Sequence, residues 1–464
     1  MIALSAKEIA DFVNGEVVGD ASTIVSAGVE TDSRLIGAGF LFVAKPGEHT
    51  DGHLFVEAAH SQGATVAMVE RKLESSITQI VVKDVVVALG LLATAVLAKL
   101  RESGHLTVIG VTGSNGKTST KNMLGAVLAE FGETIAPRES FNNEVGAPIS
   151  MLRAATETKF LVVELGAGGI GSIDYLAKMC KPDIGIELKV GLAHVGEFGG
   201  IETTAKIKQE LVPHIQPGGV LLYNGDDEYC TQMASARDGL NISFGTNAAD
   251  YRLSDASLSL DGTSAKVHFP DGDERELSLK ILGEHQLMNA LATVAVSDIL
   301  GLDRSMVLAT LASLPMAERW RMQLVERDGI AFINDAYNAS PDSTKAALQT
   351  LAVLGRQTGR RTIAVIGEMA ELGEFSAHEH DTIGRLAVRL NIDQVVAVGS
   401  GAKLVYMGAS QEGSWDGESK FFERIDEALA ALRGMLRSGD IVLIKSSKSA
   451  NLRHLGDELM GVEK

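Results

Sequence analysis

Residues 110–120 read GVTGSNGKTST, and this segment has the types and spacing to hold a phosphate chain. Gly113 and Gly116, with small residues between them, let successive backbone N–H groups turn inward on an anion. Lys117 adds a mobile cation, and a helix starting there adds its positive dipole end. Thr118 would put a hydroxyl on a magnesium ion bridging nucleotide phosphates. The strict form of such a loop wants a glycine where Val111 stands, so the reading rests on context. A β-branched run, LTVIGV at 106–111, precedes the loop. Met123, Leu124, Val127, Leu128 and Phe131 follow it at helical spacing, so the loop is predicted to join a strand to a helix. The alternative is a plain glycine turn with no ligand. Three further polar residues stand near such runs, although by themselves their ordinary readings are structural or exposed. Glu164 closes the run FLVVE at 160–164, where open α/β sheets present their ligands, although an acid ending a strand is commonly just solvated. His194 falls in a glycine-rich stretch after DIGIEL at 183–188, and Lys208 lies in KIKQEL at 206–211. By spacing alone that lysine reads as a helix-surface residue beside Lys206 and Glu210.

The elements that must position these residues follow an α/β rhythm. Short apolar runs recur at 106–111, 160–164, 183–188, 220–223, 362–366, 395–398 and 441–444, each followed by a turn and a longer stretch with helical spacing. Runs of this kind suit parallel strands covered on both faces. The stretch 258–275 reads as a β-hairpin excursion. With 464 residues and a prior of roughly 150 per domain, about three domains are expected. Breaks near 84–104 and 313–328 place them at 1–84, 85–315 and 316–464, the second break marked by Pro315 before the strand-like IAFIND at 330–335. Hydrophobic residues make up 45% and charged residues 22%, which excludes global disorder and fibrous architecture. The formal net charge of -18 is the wrong field for a non-specific nucleic-acid binder. Cys180 and Cys230 alone give neither a disulfide framework nor a thiolate metal site, and a reducing compartment is expected. The apolar stretch 85–98 is too short to span a bilayer. Lys7, Glu8 and Asp11 stand where a secretory peptide would be apolar, so a cytoplasmic location is expected.

The segment TGSNGKTST resembles the nucleotide loop of the Mur ligase superfamily, the ATP-dependent amide-bond ligases of peptidoglycan and folate metabolism. Similarity continues in family order through TDSR at 31–34, PGEHTDGH at 46–53, FNNEVGAP at 141–148, ELGAGGIG at 164–171, AHVGEFGG at 193–200, KIKQEL at 206–211, NGDD at 224–227, GEHQLMNALA at 283–292, DAYNASPDSTKAAL at 335–348, GEMAELG at 367–373 and KSSKS at 445–449. The resemblance implies an α/β protein of three domains: a small N-terminal domain, a central P-loop-type ATPase domain with a mostly parallel sheet, and a Rossmann-like C-terminal domain. Within the family it is to the members that add a dipeptide, because DAYNASPDS stands where the diaminopimelate-adding members carry a DNPR signature. The implied substrates are ATP, UDP-N-acetylmuramoyl-tripeptide and D-alanyl-D-alanine, joined through an acyl phosphate for peptidoglycan synthesis. Other members, of muramyl-peptide or folylpolyglutamate type, are the nearest alternative. A non-catalytic nucleotide-binding scaffold is a more distant one.

Carried onto this chain, the resemblance assigns Thr112, Gly113, Ser114, Asn115, Gly116, Lys117, Thr118 and Ser119 to the ATP phosphates, Asn289 to adenine and Asp335 to the ribose. It assigns Arg321 to a reach from the third domain back to the nucleotide, with Arg319 close enough to leave open which arginine does so. Thr118, Glu164, His194 and a carbamylated Lys208 would hold magnesium, two ions in all, with Lys117, Glu164, His194 and Lys208 as the catalytic set. Carbamylation needs a partly deprotonated amine, hence desolvation or nearby positive charge. Asn338 and Ser340 could hydrogen-bond the dipeptide, while Ser340 or Ser343 is also a natural helix N-cap. Asp32, Ser33 and Arg34 would hold the uridine-diphosphate end, and Asn142 and Asn143 the acceptor peptide. Gln286, Lys189, Ser446 and Lys448 depart from the family pattern. A monomer is expected.

Overall fold

In the computed structural model, which describes residues 1–47, 50–102, 104–137, 141–193, 195–315, 319–413 and 418–462, the chain forms three main sheets, and the apolar runs become strands of two of them. The nine-stranded central sheet runs, edge to edge, Glu274–Leu279, Gly262–His268, Tyr251–Ser259, Leu240–Gly245, Val220–Asn224, Ile184–Glu187, Thr107–Thr112, Phe160–Glu164, Thr134–Ile135. Pairing is parallel from Thr134–Ile135 through Tyr251–Ser259. Beyond that edge the sheet turns antiparallel. The expected hairpin is therefore present, with a third strand added to it.

Thr107–Thr112 has one parallel neighbour on each side. Its register sets Glu164 opposite Val111 and Glu187 opposite Thr112. Chain order reverses at this strand, so the loop that follows it opens at a switch point, where open α/β sheets place ligands. The helix Lys117–Ala129 begins directly after the loop.

The C-terminal sheet has six strands, Gln323–Arg327, Ile330–Asn334, Asp440–Lys445, Arg361–Ile366, Gln394–Val398 and Ser419–Phe422, parallel except for the first pair. The N-terminal sheet has five: Glu16–Val18, Thr78–Val81, Ala64–Val69, Phe40–Val43 and Val29–Glu30. The helix Val85–Arg101 follows it, capped by Asp84, which accepts the N–H groups of Val86 and Val87. Its face of Leu89, Leu92, Val96 and Leu97 is buried in a core shared with both flanking sheets. Among the described residues no helix is long and apolar enough to cross a membrane. Cys180 and Cys230 are free and buried.

The segment after Arg361–Ile366 leans on the central domain, where Gly196 N–H donates to Glu371 O at 3.1 Å. His380, fully buried on the helix Ser376–Arg389, fixes this segment: Nε2 accepts Met369 N–H at 2.9 Å, and Nδ1 donates to Ser376 O at 2.7 Å. Burial holds the imidazole below its ordinary pKa, so the folded state favours the neutral ring. That contribution is complete above the unfolded value of about 6.5 and is lost as pH falls through the lower folded value. Thermal unfolding at about pH 7.5 and about pH 5.5 should show a smaller pH-dependent loss in His380→Gln than in the unaltered protein; an equal loss would exclude His380 as its source.

Candidate functional site

The glycines of the loop are required by what surrounds them. Gly116 has φ +88°, and a Cβ there would lie 2.4 Å from Asn289 Oδ1; at Gly113, φ +145°, it would lie 2.9 Å from Leu188 Cβ. Serine 114 braces the loop from beneath: Ser114 N–H donates to Lys189 O at 2.7 Å, and its hydroxyl accepts Gly191 N–H at 2.9 Å. Lys117 folds back so that Nζ donates to Gly113 O at 2.6 Å. Its pKa is lowered, chiefly by burial, with the Glu164 charge opposing and the Arg321 charge adding to the fall.

Glu164 is buried at the end of its strand. Oε1 accepts Asn142 Nδ2–H at 2.8 Å and Thr118 Oγ1–H at 3.4 Å, while Oε2 has no partner. An unsatisfied buried carboxylate oxygen beside a hydroxyl and a phosphate loop fits magnesium, which takes one or two carboxylates and fills its sphere with phosphate oxygens and water. No group of three His, Cys, Asp or Glu that could hold a metal occurs among the described residues. His194 lies outside the described residues.

Lys208, on the helix Ile201–Gln209, is only 2% exposed. The helix-surface reading is therefore overturned: the face carrying Lys208 packs inward. Its pKa falls to about 7, through burial first and the Lys117 charge second, against the pull of Glu187, Glu210 and Glu164. Glu187 was not singled out from sequence. It is fully buried, neither oxygen has a partner, and burial raises its pKa well above the carboxylate range. The available signal was an acid closing an apolar strand, as Glu164 does.

A cleft of 580 Å³ opens over the loop, between the central and C-terminal domains. Ser114, Asn115, Gly116, Lys117, Thr118, Ser119, Asn142, Glu164 and Asn289 line it from one side, and Arg321, Asp335, Asn338 and Ser340 from the other. Asn289 faces Gly116 and donates to Gln286 Oε1 at 3.0 Å, so Gln286 serves as its orienting partner. Thr112 sits beneath the loop, donating to Leu165 O at 3.1 Å, and does not line the cleft. Asn143 turns to the helix Gly146–Met151, accepting Gly146 N–H at 2.8 Å. Asp32, Ser33 and Arg34 form an exposed turn of the N-terminal domain away from the cleft lining; Arg34 Nη2 pairs with Asp32 Oδ2 at 2.6 Å, and Asp32 caps Ser33–Leu35.

The arginine doublet separates cleanly. Arg319 pairs with Asp457 Oδ2 at 3.0 Å, whereas Arg321 enters the cleft, stacks on Tyr337 at 4.0 Å and places Nη2 3.4 Å from Thr118 Oγ1. Asp335 pairs with Lys445 Nζ at 2.7 Å and accepts Met322 N–H at 3.0 Å. Lys445 also donates to Asn338 O at 2.7 Å, so one buried lysine organises two cleft residues; the motif at 445–449 marked the place but not this role. Ser340 caps the helix Pro341–Thr358, as one of its two readings expects, and also donates to Asn115 Oδ1 at 3.2 Å. The unusual Lys189 pairs with Asp342 at 3.4 Å across the domain boundary, and Asp342 also accepts Leu192 N–H at 2.9 Å. His285, Asp226 and Asp227 complete the lining without having been singled out. Asp227 caps the helix Glu228–Ser235 and accepts Val190 N–H at 3.1 Å, bracing the segment under the loop.

Residues 26–96 match the family described as "Mur ligase family, catalytic domain", 111–297 "Mur ligase middle domain" and 320–448 "Mur ligase, glutamate ligase domain". The chain is 40% identical to the UDP-N-acetylmuramoyl-tripeptide--D-alanyl-D-alanine ligase of Mycobacterium bovis, over 99% of this chain and 98% of that one. It superposes on a crystal structure of MurF from Acinetobacter baumannii with a TM-score of 0.90, at 32% identity and 99% coverage of both chains. Against MurF of Thermotoga maritima in complex with ADP the TM-score is 0.81, at 27% identity over 94% of this chain and 98% of that one.

Gly116 gives a direct check of the loop. In Gly116→Ala the new methyl collides with Asn289 in a backbone region that favours glycine. Calorimetric titration with a non-hydrolysable ATP analogue should show affinity lower by about tenfold or more, in protein that still unfolds cooperatively but at a temperature lowered by the strain. Unaltered affinity would show that this loop does not hold the nucleotide.

Proposed function

The chain belongs to the Mur ligase family, and from that premise we propose that it joins D-alanyl-D-alanine to UDP-N-acetylmuramoyl-tripeptide with cleavage of ATP, yielding the UDP-muramoyl-pentapeptide, ADP and phosphate. The observation that carries the reading is end-to-end similarity to relatives named for that reaction, in a chain whose third domain meets the phosphate loop directly. The domains are taken as 1–84 for the acceptor nucleotide, 85–315 for ATP and 316–464 for the dipeptide. A monomer in the cytoplasm is the proposed working form.

In this reading Lys117 leaves the carbonyl of Gly113 for the β/γ-phosphates. Backbone N–H groups of 113–119 cradle the same chain, Asn289 contacts adenine, and Asp335, held by Lys445, meets the ribose. Thr118, Glu164, His194 and a carbamylated Lys208 would hold two magnesium ions, which when bound would neutralise charge on the transferring phosphoryl group and the acyl oxygen. The Lys208 amine reaches the required state because burial and Lys117 bring it near neutrality. The neutral amine adds to carbon dioxide and releases one proton to solvent. Burial also raises the pKa of Glu187, which disfavours a second charge beside the new carbamate. Asp32, Ser33 and Arg34 take the diphosphate of the acceptor, Asn142 and Asn143 its peptide, and Asn338 and Ser340 the incoming dipeptide. Closure of Arg321 and Ser340 over the loop keeps water from an acyl phosphate that would otherwise hydrolyse.

Phosphate release should require ATP, the UDP-muramoyl tripeptide and D-alanyl-D-alanine together, and release that ignores the dipeptide would overturn the assignment. Lys208→Ala should lose activity on the order of 10²-fold, the scale of removing one electrostatic stabiliser. Short carboxylic acids should restore part of it. A carbamate signal from labelled bicarbonate should be seen in the unaltered protein and be absent in the variant; failure of both rescue and signal would remove carbamylation from the mechanism.

A further inference from the structure

We propose that Asp457, on the last helix Leu452–Met460, is a positioning residue that holds the turn at 319–322 in the conformation aiming Arg321 at the nucleotide; this rests on the nucleotide role of Arg321 proposed above. Arg321 stands between two non-glycine residues in the left-handed region, Trp320 at φ +64° and Met322 at φ +51°. Bulky side chains adopt that region only where their surroundings over-determine it. Here they do. Trp320 N–H donates to Gln323 Oε1 at 3.0 Å, Trp320 O accepts Tyr337 N–H at 3.0 Å, and Met322 N–H donates to Asp335 Oδ1 at 3.0 Å. The indole Nε1–H of Trp320 lies 2.9 Å and 3.0 Å from the two Asp457 oxygens, and Arg319 Nη2 lies 3.0 Å from one of them.

Asp457 is only 1% exposed. A buried carboxylate is tolerated when its acceptors are filled, and the donors filling them come from the two residues immediately before Arg321. The helix thus reads the position of the turn through its own charge. The guanidinium of Arg319 also packs over the Trp320 ring at 4.8 Å, tying the two donors to each other. Asp457 is not among the residues lining the cleft, so it acts through Arg321 and not on substrate. Without the clamp, Trp320 can return to ordinary backbone angles, and Arg321 leaves both Tyr337 and Thr118.

The test is a double-mutant cycle. Asp457→Asn and Trp320→Phe, the second removing one N–H while keeping a ring, are each made in the unaltered chain and in Arg321→Ala. Affinity for a non-hydrolysable ATP analogue is measured by calorimetry, and KM for ATP and for the dipeptide by phosphate release. With Arg321 present, each substitution should weaken analogue binding and raise KM for ATP about tenfold, leaving KM for the dipeptide unchanged. In Arg321→Ala neither should cause further loss. The same fold-loss in both backgrounds, or none with Arg321 present, would overturn the clamp. An Arg321→Ala protein that binds the analogue normally would overturn the arginine's nucleotide role and the clamp with it. If Asp457→Asn does not fold, Trp320→Phe decides the question alone.

Discussion

The structure turns on the parallel pairing of Thr107–Thr112 with a strand on either side. That register brings the carboxyl ends of three strands level, so the phosphate loop, Glu164 and Glu187 emerge from one edge of the sheet. The chemistry follows from where this edge lies. It is covered by the helix Ile201–Gln209 and by the third domain, so its charges are taken out of water. Burial lowers the pKa of Lys117 and of Lys208 and raises that of Glu187, and the Lys117 charge adds to the fall at Lys208. Buried charges cost several kcal/mol each unless paired or neutralised. At Glu164 one carboxylate oxygen, Oε2, is buried without a partner.

The third domain meets this edge through few contacts, each specific. Ser340 reaches Asn115, Arg321 reaches Thr118, and Asp342 takes Leu192 N–H together with the Lys189 ammonium. Three of the central-domain partners lie on the loop or on the strand–loop segment bracing it. A ligand that shifts the loop is therefore sensed directly by the domain above it. Lys189 pairs with the Asp342 carboxylate, adding a second cation beside Arg321 to the junction. Half-exposed, that pair contributes little stability by itself, and its effect is on register.

Much of the fold was legible because parallel strands buried on both faces leave continuous apolar runs; all seven runs noted became strands of the central or C-terminal sheet. The N-terminal sheet was not, since Val29–Glu30 and Glu16–Val18 are too short to show a period. At the site the loop was legible from glycine spacing and flanking elements. Glu187, Lys445 and Asp457 were not: Glu187 owes its state to burial by elements the sequence does not place, Lys445 meets Asp335 across 110 positions, and Asp457 meets Trp320 across 137. Lys208 shows the limit most clearly. Helical spacing gives the faces of Ile201–Gln209, but not which face another element will cover.

The resting position of Lys117 explains how such a buried cation is kept without a ligand. Its ammonium sits on the carbonyl oxygen of Gly113, an acceptor made available because the glycine backbone turns at φ +145°. A neutral carbonyl satisfies the donor but does not balance the charge, and the pKa stays lowered. In the proposed ATP reading, a phosphate in the cleft would replace that neutral acceptor with a charged one and favour the protonated lysine. Lys208 feels the same lysine, whose charge is the second cause of its lowered pKa after burial. A nucleotide held at Lys117 would therefore couple to the protonation of Lys208, and by linkage the coupling would run both ways.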